Sequence, residues 1–430
     1  MSTPQVIKDF YTVLGQIGGQ DALDATVAAA LVLAKDVLND AGITDGTSFV
    51  NWMITSLLQW IPEENSESTE LMQQLIIFYF VLDQPPLGLD QTQIYPNSVG
   101  NGLTLLSAWI VEFVQALGTW FNDPQSLTPE SFQTFVNSQL YRVWECSSPD
   151  GSAFKNFNQF FGRQLATPRK VAGPGDNKTP VYPADSHWDN FFAVDSGSNT
   201  WIPAADGDPE SKGLITAKGW TWSVGALLQD SPHASSFADG VWVHSFLSTF
   251  NYHRFHSPVS GTVLEARVIQ NAAYLDVTAT NGKLGARRGI KKGVKGGDAG
   301  AQIVAQDQSG YQFLQTRGLV IIDTSTSTEG DIGLVALLPM GMAQVSSVNL
   351  TVQPQQTVEK GGEIGFFQFG GSDIVTVFQA KAGFSNTDPT FWNQATSVDE
   401  KGNPLPYTFY GTSLIANPTS KVKSTYPQGV

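Results

Sequence analysis

Cysteine, histidine and basic residues are scarce in this chain of 430 residues. Cys146 is the only cysteine, which excludes a disulfide framework and a thiolate metal cluster. Lys and Arg number 24 against 39 Asp and Glu, giving a formal net charge of −15. This excess of acid disfavours nucleic acid and an anionic membrane surface as main partners.

Long hydrophobic runs are also missing. The longest, 75–82 and 103–117, are shorter than a bilayer span, and the second contains Glu112. The first ten residues lack the basic and apolar regions of a signal peptide. A single cysteine suits a reducing compartment. We therefore expect a cytoplasmic protein without stable membrane insertion.

Hydrophobic patterning divides the chain into a helical first part and a β-rich second part. Apolar residues within 1–145 recur at helical spacing, as in 53–61, which Pro62 ends. From residue 241 onward β-type segments dominate, and we predict strands at 259–268, 274–278, 310–314, 318–323, 332–338, 347–352 and 374–378. We expect an α+β fold, with a helical domain at 1–145 packed on a β-rich catalytic domain at 146–430.

One basic segment interrupts this acidic chain. Residues 283–295 are rich in glycine and contain six Lys and Arg residues. Such a segment is typical of a solvent-exposed loop. The alternative is a lid over an anionic substrate.

Two glycines precede a serine between two β-type segments. A Phe-Gly-Gly-Ser segment at 369–372 separates 364–368 from 374–378. Glycine lets the backbone turn sharply and leaves a hydroxyl beside a bare carbonyl. That geometry suits a serine that attacks its own preceding peptide bond. The same residues are typical of a β-hairpin turn, so both interpretations stay open on this stretch alone.

Two of the five histidines lie three residues apart, at His253 and His256, and Pro258 disfavours a helix across them. Because imidazole exchanges protons near neutral pH, both are candidate acid–base groups. A metal pair would need a third ligand at recognisable spacing, and we find none, so we expect no metal. Asp185, His256 and Ser372 supply an orienting carboxylate, a base and a nucleophile, although spacing alone does not bring them together.

Five motifs occur in this order along the chain: Asn158-Gln159-Phe160-Phe161-Gly162-Arg163, Pro183-Ala184-Asp185, Lys218-Gly219-Trp220-Thr221-Trp222-Ser223, Tyr252-His253-Arg254-Phe255-His256-Ser257-Pro258 and Phe369-Gly370-Gly371-Ser372. Together they resemble the phosphatidylserine decarboxylase family. The resemblance covers roughly 150–380. Family members usually have Gly-Ser-Thr where this chain has Gly371-Ser372-Asp373, and the effect of Asp373 on processing or on substrate charge preference stays open.

The resemblance implies that the chain processes itself. Ser372 would attack the carbonyl of Gly371, and elimination and hydrolysis would leave a covalent pyruvoyl group derived from Ser372. By family analogy His256 would be the base and Asp185 would orient it, whereas His253 would transfer a proton during turnover. The two products, a long chain and a short one divided at the cut, would stay associated.

The pyruvoyl ketone would form a Schiff base with a substrate amine and accept the electrons released with CO₂, without pyridoxal phosphate. The helical first part and the Phe-x-Phe-Gly-Gly-Ser pattern resemble the family's soluble amino-acid decarboxylase branch. That likeness implies a free aromatic L-amino acid as substrate. Candidate substrate-binding residues are Gly370, Phe369, Trp220 and Trp222.

Three alternatives remain. The first is a decarboxylase acting on the lipid phosphatidylserine, and the second is a family member that no longer cuts. The third is a non-catalytic module, because 258–261 and 358–364 also resemble the hybrid barrel of lipoyl and biotinyl carriers. This likeness implies a hybrid-barrel-like sheet core. The sequence leaves open whether the protein forms a homo-oligomer.

Overall fold

The computed structural model describes residues 3–203, 219–287, 311–342 and 347–416. Of the basic segment predicted at 283–295, only the first five residues fall in these ranges, and they form a strand. The choice between a solvated loop and a lid concerns residues outside the described part of the chain.

Helices fill the first third of the chain, as predicted. These are α1 Gln5–Leu14, α2 Gly19–Asp40, α3 Gly46–Trp52, α4 Glu70–Leu82, α5 Leu105–Trp120 and α6 Pro129–Asn137. Two short helices follow later in the chain, α7 Phe157–Phe161 and α8 Val224–Leu228. Helix α6 is capped by Thr128, whose hydroxyl accepts the N–H of Ser131 at 3.1 Å. The helical pattern at 53–61 is cut short, because α3 passes into a π-helical turn at Met53–Leu57.

No helix within the described residues combines the length and the apolar character needed to cross a membrane.

Strands dominate from residue 187 onward. Their bounds are β1 His187–Ala193, β2 Asn199–Pro203, β3 Gly219–Ser223, β4 Val241–Leu247, β5 Arg254–His256, β6 Gly261–Ile269, β7 Asp276–Thr280, β8 Lys283–Arg287, β9 Arg317–Asp323, β10 Leu334–Met342, β11 Val348–Leu350, β12 Thr357–Val358, β13 Glu363–Phe367 and β14 Gly371–Phe378. The strand predicted at 310–314 is wrong, because Tyr311–Phe313 form a 3₁₀ turn. The patterning missed β4, which is buried on both faces and therefore lacks apolar–polar alternation.

The largest sheet has seven antiparallel strands in the order β1-β4-β14-β10-β9-β6-β12. A second sheet has the order β11-β13-β5. The α+β expectation is confirmed. The observed sheet differs from the expected hybrid-barrel-like core. In the described residues the seven-stranded sheet is open, with β1 at one edge and β12 at the other.

The two faces of the large sheet belong to different parts of the core. On one face Val375 and Val377 join the cluster that contains the apolar residues of α1, α2, α4 and α5. On the other face Ile374 and Phe378 join a cluster built from strands and the chain's last described segment. The helical part is therefore packed on the β-rich part through a shared core. The domain boundary at residue 145 stays a prediction.

A buried lysine fixes the turn between β12 and β13. The Lys360 ammonium group donates hydrogen bonds to the backbone carbonyls of Gly173, Asp176 and Thr179. Lys360 is only 8% exposed, and burial lowers the pKa of its amine. Since three carbonyls share this one donor group, the turn at 359–362 is tied to segment 173–179.

We predict that Lys360→Met lowers the free energy of unfolding by about 1–3 kcal/mol, because the buried carbonyls lose their donor. Urea titration followed by tryptophan fluorescence measures the change. Lys381→Met is the matched control, since Lys381 is 56% exposed and pairs with Asp331 at the surface, and we expect its midpoint to match that of the wild type. Equal midpoints for both variants would contradict the role given to Lys360.

Candidate active site

Ser372 lies where the chain passes from one sheet to the other. Strand β13 pairs with β5 and β11, whereas β14 pairs with β4 and β10. The hairpin interpretation of residues 369–372 is therefore wrong, because the strands on either side of this segment belong to different sheets. Ser372 sits opposite Leu247 and Gly341 at the start of a central strand.

The backbone before Ser372 needs glycine. Gly370 has a φ of 151°, which side chains with a Cβ rarely adopt. Ser372 itself is 0% exposed, and among the described residues its hydroxyl has no hydrogen-bond partner. A buried hydroxyl left unpaired costs free energy, so this serine is not held as an ordinary structural residue.

Phe369 packs the crossover segment, residues 368–370 between β13 and β14, against the helices. Its N–H donates to the Asn158 side-chain oxygen at 3.1 Å, and the residue is 2% exposed. Its ring packs against four aromatic rings at centroid distances of 4.9–5.6 Å, those of Trp60, Phe121, Phe157 and Phe161. Phe369 thus forms part of the core in this structure, and its predicted contact with substrate stays a prediction.

His253 belongs to the same aromatic cluster. Its ring stacks on Phe161 at 3.9 Å, and Phe161 in turn packs on Phe369 at 5.1 Å. The Nδ1–H of His253 donates to the Asn251 carbonyl at 2.7 Å, and its own carbonyl accepts the N–H of Phe367 at 2.9 Å. The structure therefore brings His253 to the segment that carries Ser372.

His256 is held as a neutral imidazole. Its Nδ1–H donates to the Gly361 carbonyl at 2.9 Å, which leaves the Nε2 lone pair as an acceptor. Among the described residues Nε2 has no hydrogen-bond partner, although it is buried. Burial lowers the pKa of His256 to about 4, and the positive charges of Arg254 and Arg169 act in the same direction. His256 can therefore accept a proton at neutral pH.

The turn that orients His256 also requires glycine. Gly361 has a φ of +80°, and a Cβ there would lie 2.3 Å from a methyl carbon of Val171. The carbonyl that binds His256 is thus fixed by backbone geometry that other residues rarely adopt.

Asp185 is held by the side chain of Arg169 and the backbone of Tyr410. Its carboxylate accepts two hydrogen bonds from Arg169, at 3.1 and 2.7 Å, and one from the Tyr410 N–H at 2.9 Å. Burial raises the pKa of Asp185, and the Arg169 charge opposes this shift. Within the described residues no hydrogen bond joins Asp185 to His256; Tyr410 contacts both, with its N–H bonded to Asp185 and its ring stacked on His256 at 3.7 Å.

The motif that contains Asp185 nevertheless contacts His256 through the backbone. The His256 N–H donates to the Pro183 carbonyl at 2.7 Å. The structure therefore brings Asp185 and His256 together through Tyr410 and the backbone of Pro183, and the orienting role of Asp185 stays a prediction.

Trp222 lies in a different part of the core from Phe369. Its ring is fully buried and stacks on Phe313 at 4.6 Å, in the core cluster shared with the helices. Phe369 belongs to a different cluster, so the structure does not gather these two predicted substrate contacts in one place. The Trp220 side chain lies outside the described part of the chain.

Sequence reasoning missed a polar group beside the cleavage position. His244 lies in β4 with Nδ1 2.9 Å from Asp189 and Nε2 2.9 Å from Asp373. The Tyr311 hydroxyl donates to the same Asp373 oxygen at 2.7 Å. The two carboxylates outweigh burial and raise the pKa of His244 to about 9. A histidine inside an apolar run, together with the aspartate in place of the usual threonine, was the available signal.

Comparison with known proteins identifies the family. The sequence pattern described as phosphatidylserine decarboxylase matches residues 157–396, a stretch that contains Asp185, both candidate histidines and Ser372. The chain belongs to the phosphatidylserine decarboxylase family. The segments that resembled a lipoyl or biotinyl carrier lie inside this match, so the carrier alternative is not retained.

Members of the phosphatidylserine decarboxylase family with different substrates resemble this chain to similar degrees. Decarboxylase iboD of Amanita muscaria is 29% identical over 62% of this chain and 69% of its own length. Phosphatidylserine decarboxylase proenzyme 2 of rice is 28% identical over 68% of this chain but only 40% of its own length. The L-tryptophan decarboxylase of Psilocybe cubensis is 26% identical over 51% of this chain and 45% of its own length. The chain is therefore a decarboxylase, and the comparisons leave its substrate open.

Two of the buried histidines, His256 and His244, are predicted to have pKa values shifted in opposite directions. In a Ser372→Ala protein labelled at histidine, we expect the His256 signal to shift near pH 4 and the His244 signal near pH 9 by NMR, against an ordinary value of 6.5. His244 therefore contributes stability below pH 6.5 that is lost as pH rises through 9, whereas His256 contributes stability above 6.5 that is lost as pH falls through 4. The variants His256→Gln and His244→Gln each lack one of the two signals, and this loss assigns each signal to its residue. Titration of both near 6.5 would contradict the burial and charge environment described.

Proposed function

We propose that this chain is a pyruvoyl-dependent decarboxylase of a free aromatic L-amino acid, which makes its prosthetic group from Ser372. The observation that carries the proposal is the buried Ser372 hydroxyl, which has no hydrogen-bond partner in the described part of the chain and directly follows Gly370 and Gly371, where the chain enters the larger sheet. Such an arrangement suits an intramolecular attack, because nucleophile and carbonyl belong to adjacent residues and need no encounter.

The cleavage proceeds in two parts. The Ser372 hydroxyl oxygen attacks the Gly371 carbonyl carbon, the carbon–nitrogen bond to Ser372 breaks, and the hydroxyl proton ends on the freed amine. A base then removes the Ser372 Cα proton, the Cβ–O bond breaks and the Gly371 carboxylate leaves. The remaining dehydroalanine tautomerises to an imine, and water displaces its nitrogen as ammonia to leave the pyruvoyl group. Peptide and water are thus converted into two chains and ammonia. His256, with a neutral ring and a bare Nε2, is the proposed proton acceptor.

Asp185 and Arg169 support this role by holding Tyr410 against the His256 ring. His253, packed on the same aromatic cluster as the crossover, is the proposed proton carrier during turnover.

The surroundings fit a pyruvoyl group at position 372. The residue lies between β4 and β10, so the ladder that holds the precursor also holds the new end of the short chain. When formed, the group supplies a ketone that condenses with an amine and takes up the electrons left by departing CO₂.

Two observations favour an amino acid over a lipid. The chain's net charge of −15 opposes approach to an anionic membrane surface. The Psilocybe relatives carry the name L-tryptophan decarboxylase. The family name and the rice relative favour phosphatidylserine instead, and that lipid is the second candidate.

We predict that purified wild-type protein separates under denaturing conditions into chains 1–371 and 372–430, the shorter one lighter by one ammonia than a peptide with an N-terminal serine. Ser372→Ala should remain a single chain and release no CO₂. Ser245→Ala is the control, because Ser245 is buried on the neighbouring strand, and it should cut normally. Intact-mass spectrometry gives the result, and a cut Ser372→Ala chain would overturn the mechanism.

We predict that the cut enzyme releases CO₂ from L-tryptophan or another free aromatic amino acid and not from phosphatidylserine in mixed vesicles. Radiolabelled carboxyl groups measure both reactions in parallel. Ser372→Ala protein corrects for background. Release from the lipid alone would replace the amino-acid proposal with the second candidate.

A further inference from the structure

A buried charge network adjoins the proposed nucleophile on the opposite face of the sheet. His244 of β4 and Asp373 of β14 are diagonal neighbours, since Asp373 lies opposite Phe246 and His244 lies opposite Val375. Side chains two residues apart on paired strands share a face and reach one another. The network is Asp189–His244–Asp373–Tyr311, and its members are all less than 9% exposed.

A bulge in the edge strand brings in the second carboxylate. Trp188 and Asn190 pair with Ser245 and His244, which leaves Asp189 as an extra residue between them. A bulge of this kind redirects one side chain out of the regular alternation. Here it places the Asp189 carboxylate 2.9 Å from the His244 Nδ1, so that residues from three neighbouring strands meet.

The charges of the network depend on one another. Each ring nitrogen of His244 faces a carboxylate, so the ring donates to both only when it carries both protons. A protonated His244 between Asp189 and Asp373 leaves the trio with one net negative charge. Without that cation no positive charge would separate the two buried carboxylates, and they would repel each other.

Asp373 is the first residue of β14 whose side chain makes hydrogen bonds within the described residues. Gly370 and Gly371 have no side chains, and the Ser372 hydroxyl has no hydrogen-bond partner among the described residues. Asp373 is therefore the first residue after the two glycines and Ser372 that side-chain hydrogen bonds hold in place. Since successive side chains alternate across a strand, anchoring Asp373 on one face sets the direction of the Ser372 side chain on the other.

We propose that the Asp189–His244–Asp373–Tyr311 network positions Ser372 for attack on Gly371. The inference rests on the proposed function, because it assigns these residues to the self-cleavage step. His244, Asp373, Asp189 and Tyr311 are positioning residues, which act through the backbone of the serine and do not touch the reacting carbonyl. The apolar neighbours Val375, Trp242 and Met340 support this role, since a charged network among them is a poor means of stabilising a core.

The test follows self-cleavage of the full chain during cell-free synthesis. A pulse of labelled amino acid marks the precursor, and denaturing gels record its conversion into the two chains. We expect His244→Gln to slow cleavage by roughly tenfold or more, and Tyr311→Phe by a smaller factor, because each loses hydrogen bonds to a charged group. Val377→Ala is the control, as Val377 lies on the same strand and face; it should lower the unfolding temperature and cut at the wild-type rate.

A double variant separates charge positioning from general packing. In His244→Gln the two carboxylates lose their cation, and removing one of them relieves the repulsion. We therefore expect His244→Gln/Asp373→Asn to cut faster than His244→Gln alone. Lost packing would instead make the double variant slower than either single variant.

A pH profile gives a second readout. The groups facing His244 are Asp189 and Asp373, and Tyr311 faces Asp373 from the turn before β9. We expect the ratio of wild-type to His244→Gln cleavage rates to fall toward one as pH rises past about 9, where His244 loses its proton.

The two proposals fail in different ways. Cleavage of Ser372→Ala would overturn the proposed function and with it the positioning role. Uncut Ser372→Ala with wild-type rates for both His244→Gln and Tyr311→Phe would overturn the positioning role alone. If His244→Gln does not fold, Tyr311→Phe and Asp373→Asn decide, and wild-type rates for both would refute the proposal.

Discussion

The pairing of β14 between β4 and β10 is the constraint on which the site depends. It requires the chain to leave the smaller sheet at Phe367 and enter the larger one at Gly371, so the proposed cleavage bond between Gly371 and Ser372 is the first peptide bond of β14. Strand β4 pairs with residues 372–378, and β10 pairs with residues 371–378. The proposed cut would therefore leave residues 372–378 paired with both neighbouring strands.

Aromatic packing and a hydrogen bond to the backbone hold the segment that precedes Ser372. Phe369 lies among rings contributed by the helical part and by α7, which explains why an N-terminal helical region accompanies the catalytic sheet. The Asn158 side chain binds the Phe369 N–H, so the Asn-Gln-Phe-Phe-Gly-Arg motif positions the crossover segment. The helices therefore bear on the site even though they supply none of its titratable groups among the described residues.

Opposite charge environments surround His256 and His244, two of the buried histidines. His256 faces a carbonyl and two nearby guanidinium groups and stays neutral, whereas His244 faces two carboxylates and holds a proton. One fold thus maintains a base and a cation of the same residue type on separate strands. The first suits proton transfer and the second suits fixed geometry.

The sequence by itself determined the family, the α+β class and the residues Asp185, His253, His256 and Ser372 as a candidate set, because local motifs and hydrophobic periodicity are written in contiguous residues. Strand β4 escaped notice because burial on both faces erases alternation. Only the tertiary structure decided that the Gly-Gly-Ser segment is a crossover and not a hairpin, and that Tyr410 separates Asp185 from His256. The network around His244 joins residues up to 184 positions apart (Asp189 to Asp373), and strand pairing alone brings such distant side chains within hydrogen-bond reach.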